Sequence, residues 1–218
     1  MLPILRPPRI IDLRKLVRIQ REVAKRISLK DEWQELKTIA GLDIGYVQEG
    51  RGYASCVILD IDTLKVVEEK VKAVKIRFPY IPTFLAFREL EGILALAREA
   101  DVDVYMVGAH GFSHPRRAGL ASHLGVILDR PTVGVAKSKL CGEAEEPPNA
   151  KGEYTLLKEK DEIIGAVVRT RPGAKPVYVS VGHKLSLETA IAITLRTTTT
   201  YRLPQPLRLA HQLATRAT

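Results

Sequence analysis

Cysteine is almost absent: Cys56 and Cys141 are the only two in 218 residues, so no disulfide framework is implied. There is no run of 18 apolar residues that would read as a membrane span. The first residues lack the apolar core of a secretory signal. We expect a soluble, cytoplasmic protein, monomeric by default. Internal repeats and low-complexity tracts are missing too, which excludes solenoids and arrays. Acidic residues are in short supply, 25 against 34 Lys plus Arg, a net charge of +9. That balance favours a polyanionic partner, nucleic acid first. A basic surface kept only for solubility explains it equally well. With 45% hydrophobic residues the chain can bury a sizeable core, and its length fits one domain spanning 1–218.

Residues 1–9 are Pro-rich and expected to be flexible. Over 10–30, Ile11, Leu13, Leu16, Val17, Ile19, Val23, Ala24 and Ile27 recur among basic residues, which predicts a basic amphipathic helix. Three strand-like runs follow, TIAGLDIGYV, GYASCVILDI and KVVEEKVKAVKI. Turn signals at 49–52 and 60–63 join them into an antiparallel meander. After FPYIP the pattern changes to helix (83–100), strand (VDVYMVG), helix (116–128) and strand (PTVGVAK). This alternation adds parallel strands with crossover helices. EYTLLKE, EIIGAVVRT and PVYVSV are further strands. Helices at 186–197, capped by Ser186, and at 204–216 close the chain. The predicted class is α/β, a mixed sheet flanked by helices.

Two carboxylates stand out. In AGLDIGY the alternation puts Asp43 between Gly41 and Gly45 on one face, with Ala40, Leu42, Ile44 and Tyr46 on the other. Glycine within a strand marks close approach of a ligand or another backbone. Asp43 is thus either an unshielded ligand or an edge carboxylate bonded to solvent. In the 83–100 helix, Glu89 falls near Leu85, Ile93 and Leu96 on the core side. A buried carboxylate must be paired, protonated or metal-bound, so Glu89 is a metal ligand or the partner of a core Lys or Arg.

Several blocks, in order from about residue 38 to 211, resemble the endonuclease V family. They are FPYIP (78–82) with FLAFRE (84–89), HGFSHPRR (110–117), GLASHLGV (119–126) and PTVGVAKSKLCG (131–142), then VGHK (181–184) and YRLPQP (201–206). The resemblance implies a ribonuclease H-like fold. It implies an enzyme that recognises deoxyinosine in DNA, or inosine in RNA in some members. Such an enzyme nicks the second phosphodiester bond 3′ of the lesion with Mg²⁺ or Mn²⁺. By resemblance, Asp43 is the first metal ligand, Glu89 the active-site glutamate and Lys137 the active-site lysine. His114 is the histidine of the His-Pro-Arg block, and His211 sits where some members place a further His or Asp. Pro79, Tyr80, Ile81 and Pro82 match the wedge that separates the strands, while Leu85, Gly111, Gly119 and Leu140 fall beside the flipped base. These roles agree with general chemistry: hard cations take carboxylate oxygens and activate water. A lysine stabilises developing phosphate charge, and a base read by its edge must leave the stack.

The chain departs from the family pattern in two places. The family's loop reads Asp-Gly-x-Gly-x-x-His-Pro-Arg, its Asp being the second metal ligand. Alignment on His114-Pro115-Arg116 places Gly108 at that Asp and Ala109 at the first Gly. The nearest acid upstream, Asp103, is five strand residues away, about 16 Å. His110 is close, but imidazole suits Mn²⁺ better than Mg²⁺. Thr83 stands where the family usually has Gly after the wedge. The expectation is therefore an endonuclease with impaired turnover or, as the alternative, a lesion-binding protein without chemistry. A protein-interaction scaffold accounts for the basic surface but not for Lys137 and His114. Of the remaining residues, His123 and His183 are expected to be structural, Trp33 core and Cys141 packing. Arg116 and Arg117 are phosphate contacts or helix-start charges.

Overall fold

The computed structural model describes residues 11–47 and 50–218. The Pro-rich 1–9 and part of the first predicted turn lie outside the described residues. The alternating runs form β1 (Thr38–Tyr46), β2 (Arg51–Asp60) and β3 (Val66–Lys75), paired antiparallel as a meander. The chain then crosses through α2 (Leu85–Ala97) to β4 (Val104–Val107), and through α3 (Leu120–Leu128) to β5 (Thr132–Ala136). β4 runs parallel to β1 and β5 parallel to β4. β6 (Tyr154–Glu159), β7 (Glu162–Val168) and β8 (Val177–His183) are antiparallel, β8 against β5, and give one sheet of order β3-β2-β1-β4-β5-β8-β7-β6. α4 (Leu187–Arg196) and α5 (Gln205–Ala217) end the chain. The α/β class with a mixed, helix-flanked sheet is as expected.

Alternation along β1 builds both faces of the core. Ala40, Leu42 and Ile44 pack with Leu90, Ile93 and Leu96 of α2 and Leu120 and Leu124 of α3. Ile39 joins Met106, Val133, Ile191, Leu207 and Ala210 on the α4–α5 side.

Three expectations need correction. The N-terminal helix is shorter than 10–30: α1 covers Leu13–Ala24, with the Asp12 carboxylate accepting from the Arg14 and Lys15 amides. Beyond it, the Ser28 amide donates to His183 Nδ1 at 3.1 Å, and the Ser28 carbonyl accepts from the Lys184 amide. The chain is pulled onto the end of β8 and cannot continue as helix. Residues 116–119 are loop rather than helix, because Arg117 turns into the left-handed region (φ 58°). Trp33 is 40% exposed and not core.

Candidate functional site

The glycines that flank Asp43 serve packing, and the face expected to be unshielded is covered. A Cβ on Gly41 would stand 2.1 Å from the Pro206 carbonyl oxygen, and one on Gly45 would stand 2.9 Å from that of Ala214. Only glycine lets α5 lie this close to β1. The close approach brings His211 Nδ1 to 2.7 Å from Asp43 Oδ2. The Ser55 hydroxyl donates to the Ala210 carbonyl at 2.7 Å and helps seat the helix.

Glu89 comes from α2, across the sheet. It accepts a hydrogen bond from the Tyr46 hydroxyl. Burial and the charge of Asp43 push its carboxyl up to about 7, against the opposing effects of Tyr46 and Arg88. The Tyr46 hydroxyl is itself pushed up, by burial first and then by Glu89, so it stays protonated and donates. The Arg88 guanidinium lies 4.7 Å over the Tyr46 ring and donates to the Phe78 carbonyl at the start of the wedge segment. Neither sequence alternative for Glu89 anticipated Tyr46. The signal was there, since Tyr46 continues the Ala40–Leu42–Ile44 face towards α2.

Gly108 extends β4 beside Asp43. A Cβ at 108 would lie 3.8 Å from Asp43 Oδ1 and meet nothing closer. The position therefore has room for a side chain, and it points to the carboxylate. Among the described residues, no three His, Cys, Asp or Glu side chains gather as a metal-holding group. His110 does not substitute. Its Nδ1 lies 2.8 Å from the Ser113 hydroxyl and its Nε2 3.0 Å from the Ser138 carbonyl. Burial drives it down to about 4, so the ring is neutral and both nitrogens are engaged. Asp103 lies at the other end of β4, where it accepts from the Lys37 and Thr38 amides and the Thr38 hydroxyl.

A cavity of about 300 Å³ opens at Gly108. Tyr80, Ile81, Leu85, His114, Gly119, Lys137 and Leu140 line it. Pro79, Pro82 and Gly111 do not line it. A Cβ on Gly111 would meet the Val181 carbonyl at 2.2 Å, so that glycine serves contact with β8 instead. Tyr80 is 71% exposed at the cavity rim. Lys137 projects at the exposed end of β5. Arg202 Nη2 fixes its backbone by donating to the Lys137 and Pro176 carbonyls at 2.6 and 2.7 Å. A wider depression of about 1020 Å³ between Gly142–Glu145 and Thr155–Lys160 carries Glu143, Glu145 and Glu159. Lys158 and Lys160 share that lining, so its charge is mixed.

The 79–82 segment is held from beneath. Thr83 adopts φ 68°, a conformation that favours glycine. Its carbonyl accepts from Gln20 Nε2 (2.7 Å), His114 Nε2 (2.9 Å) and Arg116 Nη2 (3.1 Å). His114 Nδ1 accepts from the Arg116 amide, so the proton sits on Nε2. Burial takes this imidazole down to about 4. His114 is thus a neutral strut. Arg116 also donates from Nε to the fully buried Gln20, which sequence reading passed over in favour of its apolar neighbours. Arg117 pairs with Glu159 and Glu162. His183 bonds Ser28 and Asp129, and Cys141 packs beside Phe112, so both are structural. His123 is buried edge-on to Phe87.

Comparison with known proteins places the chain in a family. The profile of the family described as Endonuclease V matches residues 21–212. An Endonuclease V from a Nostoc strain is 44% identical over 208 residues, 94% of each chain. The crystal structure of an Endonuclease V from Streptomyces avermitilis superposes with a TM-score of 0.86 at 37% identity, covering 93% of this chain and 92% of that one. An Endonuclease V from Ciona intestinalis, solved in complex with a 24mer DNA containing an inosine, superposes at 0.83 with 27% identity, covering 94% and 96%. The chain belongs to the endonuclease V family of nucleases.

Proposed function

We propose that this protein binds DNA containing deoxyinosine, places the flipped base in the cavity at Gly108, and nicks the second phosphodiester bond on the 3′ side. Turnover would be slow because one carboxylate is missing. The observation that carries this reading is the continuity of the cavity with the carboxylates: Gly108 lines the cavity and lies beside Asp43. At about 300 Å³ the cavity is at the small end for ligand sites, in keeping with a single base.

Each residue has a definable task. Tyr80, exposed between prolines, holds open the unstacked step. Lys137, beside the cavity on a backbone pinned by Arg202, stabilises negative charge developing on the phosphate. Asp43 and Glu89 fit a hard cation in part. They supply two oxygen donors, and Mg²⁺ is commonly held by one or two carboxylates with water and substrate phosphate completing its shell. Mg²⁺ or Mn²⁺ bound there would activate water and offset charge on the phosphate. His211 orients Asp43 through Nδ1, and Tyr46 orients Glu89.

A second reading, lesion binding without cleavage, is favoured by the lack of a three-donor group among the described residues. One experiment separates the two: incubation with a duplex carrying one deoxyinosine, in Mg²⁺ and then Mn²⁺, with Asp43→Ala as control and a parallel binding titration. A nick immediately 3′ of the inosine's 3′ neighbour, absent in the control, supports the endonuclease. Tight inosine-dependent binding with no nick in either metal supports the binding protein. No preference for inosine sinks both. The same assay on inosine-containing RNA tests the endoribonuclease alternative.

A further inference from the structure

We infer that α1 is a second DNA contact, a basic rail that grips duplex phosphates beside the wedge. The inference rests on the proposed nucleic-acid substrate. At 100° per residue, Arg14, Arg18, Arg21 and Lys25 fall within an arc of about 60°. Leu16, Gln20 and Val23 are buried on the opposite side. The stripe spans about 16 Å at the helical rise, a length that passes about five phosphates of one strand.

The charge on this stripe is left for an outside partner. Arg14, Arg18 and Arg21 make no ion pair among the described residues, and the sole acid of the helix, Glu22, is taken by Lys25 at 2.8 Å. Residues 1–10 contain no acid, and Asp12, at the helix start, accepts from the Arg14 and Lys15 amides. Arg21 also faces Arg116: burial first, and then the charge of Arg21, push the Arg116 guanidinium down. Two guanidinium groups within electrostatic reach of each other repel, and a phosphate near both would relieve this.

The buried side of α1 sets where the rail lies. Leu16 packs with Phe78 and Phe84 at the two ends of the wedge segment. Gln20 bonds the Thr83 carbonyl and Arg116, and Arg116 lies 4.7 Å over the Phe84 ring. Rail and wedge are therefore one rigid unit. A duplex whose step is held open at Tyr80 would run its flank along Arg21, Arg18 and Arg14. Phosphate contacts of this kind position the duplex and carry no base information.

The test is the salt dependence of binding, measured by anisotropy in EDTA on matched duplexes with and without one deoxyinosine. Each phosphate contact contributes about 0.9 to the slope of log affinity against log salt. Arg14→Gln/Arg18→Gln/Arg21→Gln should lower that slope by about 2 to 3 on both duplexes and leave the inosine preference unchanged. Arg14→Gln alone, on the exposed first turn, should lower it by about 1. The control is Lys37→Gln/Lys65→Gln/Arg98→Gln, three charges at the opposite end of the sheet. The inference falls if the α1 variants keep the wild-type slope, or if the control lowers it equally. Loss of inosine preference in the wild-type protein overturns the proposed substrate instead. The slopes on undamaged duplex would still decide the rail.

Discussion

Asp103, at the start of β4, accepts hydrogen bonds from two amides and a hydroxyl, which together hold its carboxyl below the usual range despite partial burial. Glu89, beside the far end of the same strands, has one hydroxyl partner and is pushed up to about 7, by burial first. One end of the β1–β4 pair satisfies its carboxylate and locks two strands together. The other leaves carboxylates under-served, beside a cavity and an open position at Gly108. Groups kept short of partners in a cleft mark a functional end. The difference teaches which acids of the chain are architecture and which are equipment.

The largest expected effect comes from filling Gly108. Gly108→Asp places a carboxylate beside Asp43 without a clash, since its Cβ meets Asp43 Oδ1 at 3.8 Å and nothing closer. Nicking of the inosine duplex should rise about 10²-fold, the scale of one well-placed charged group. In EDTA the added acid repels Asp43 and should lower the melting temperature, and Mn²⁺ should restore it by binding the folded state. Wild-type nicking together with an unchanged melting temperature would show that position 108 is not part of a metal site.

A pH series sharpens the comparison. Burial takes His110 and His114 down to about 4 and His123 to about 3. Positive charge on Arg116 and Arg117, and between the rings themselves, adds to the effect on His114. Their folded values lie below the unfolded one, so the unfolded chain binds protons first. The stability they give is complete above about pH 6.5 and is lost as pH falls towards 4. Glu89 works in the opposite sense between its unfolded value and about 7, one proton against three. The net loss between pH 7 and pH 5 should be about 3 kcal/mol in urea titrations. Flat stability over that range would mean the three rings are not held neutral. The Asp103 end titrates only below the usual carboxylate range and should not contribute there.

Asp103→Ala addresses the satisfied end directly. Three hydrogen bonds are lost, but Lys37 is exposed and water replaces part of them, so the cost should be about 1 kcal/mol in urea unfolding. Inosine binding should not change. A loss of binding with intact stability would erase the distinction between the two ends.

Much of this was legible in the sequence because it follows from period and punctuation. The meander, the two crossovers and the Ser186 cap are set by local alternation and turn residues, and each lies where its pattern placed it. Motif and phase single out Asp43, Glu89, Lys137 and Gly108, and the fold brings Gly108 beside Asp43. What stayed hidden depends on contacts far apart in the chain. Gly41 and Gly45 mark close approach of a ligand or another backbone, and only the path of α5 decides for backbone. Gln20 lies 63 residues from the carbonyl it bonds, a pairing no periodicity encodes. Gly111 shared a motif with the pocket, yet its missing side chain serves β8.

The smallest expected effect, and the finest probe of the functional end, is Thr83→Gly. The turn after the proposed wedge holds a β-branched residue, Thr83, at φ 68°, a conformation that costs about 1 kcal/mol or more for any residue with a Cβ. Glycine would remove that strain. It would also lose the hydrogen bond from Arg116 Nη2 to the Thr83 hydroxyl, worth about 1 kcal/mol, and loosen the unfolded chain by a further fraction. These terms nearly cancel, so stability should change by less than about 1 kcal/mol. The carbonyl at 83 belongs to the backbone and keeps its three donors, but the wedge gains freedom at its hinge. Preference for inosine over undamaged duplex should therefore fall by a few fold while the melting temperature holds. If preference and stability fall together, Thr83 is simply part of the packing. If both stay fixed, the donors from Gln20, His114 and Arg116 hold the wedge by themselves, and the threonine is tolerated because they do.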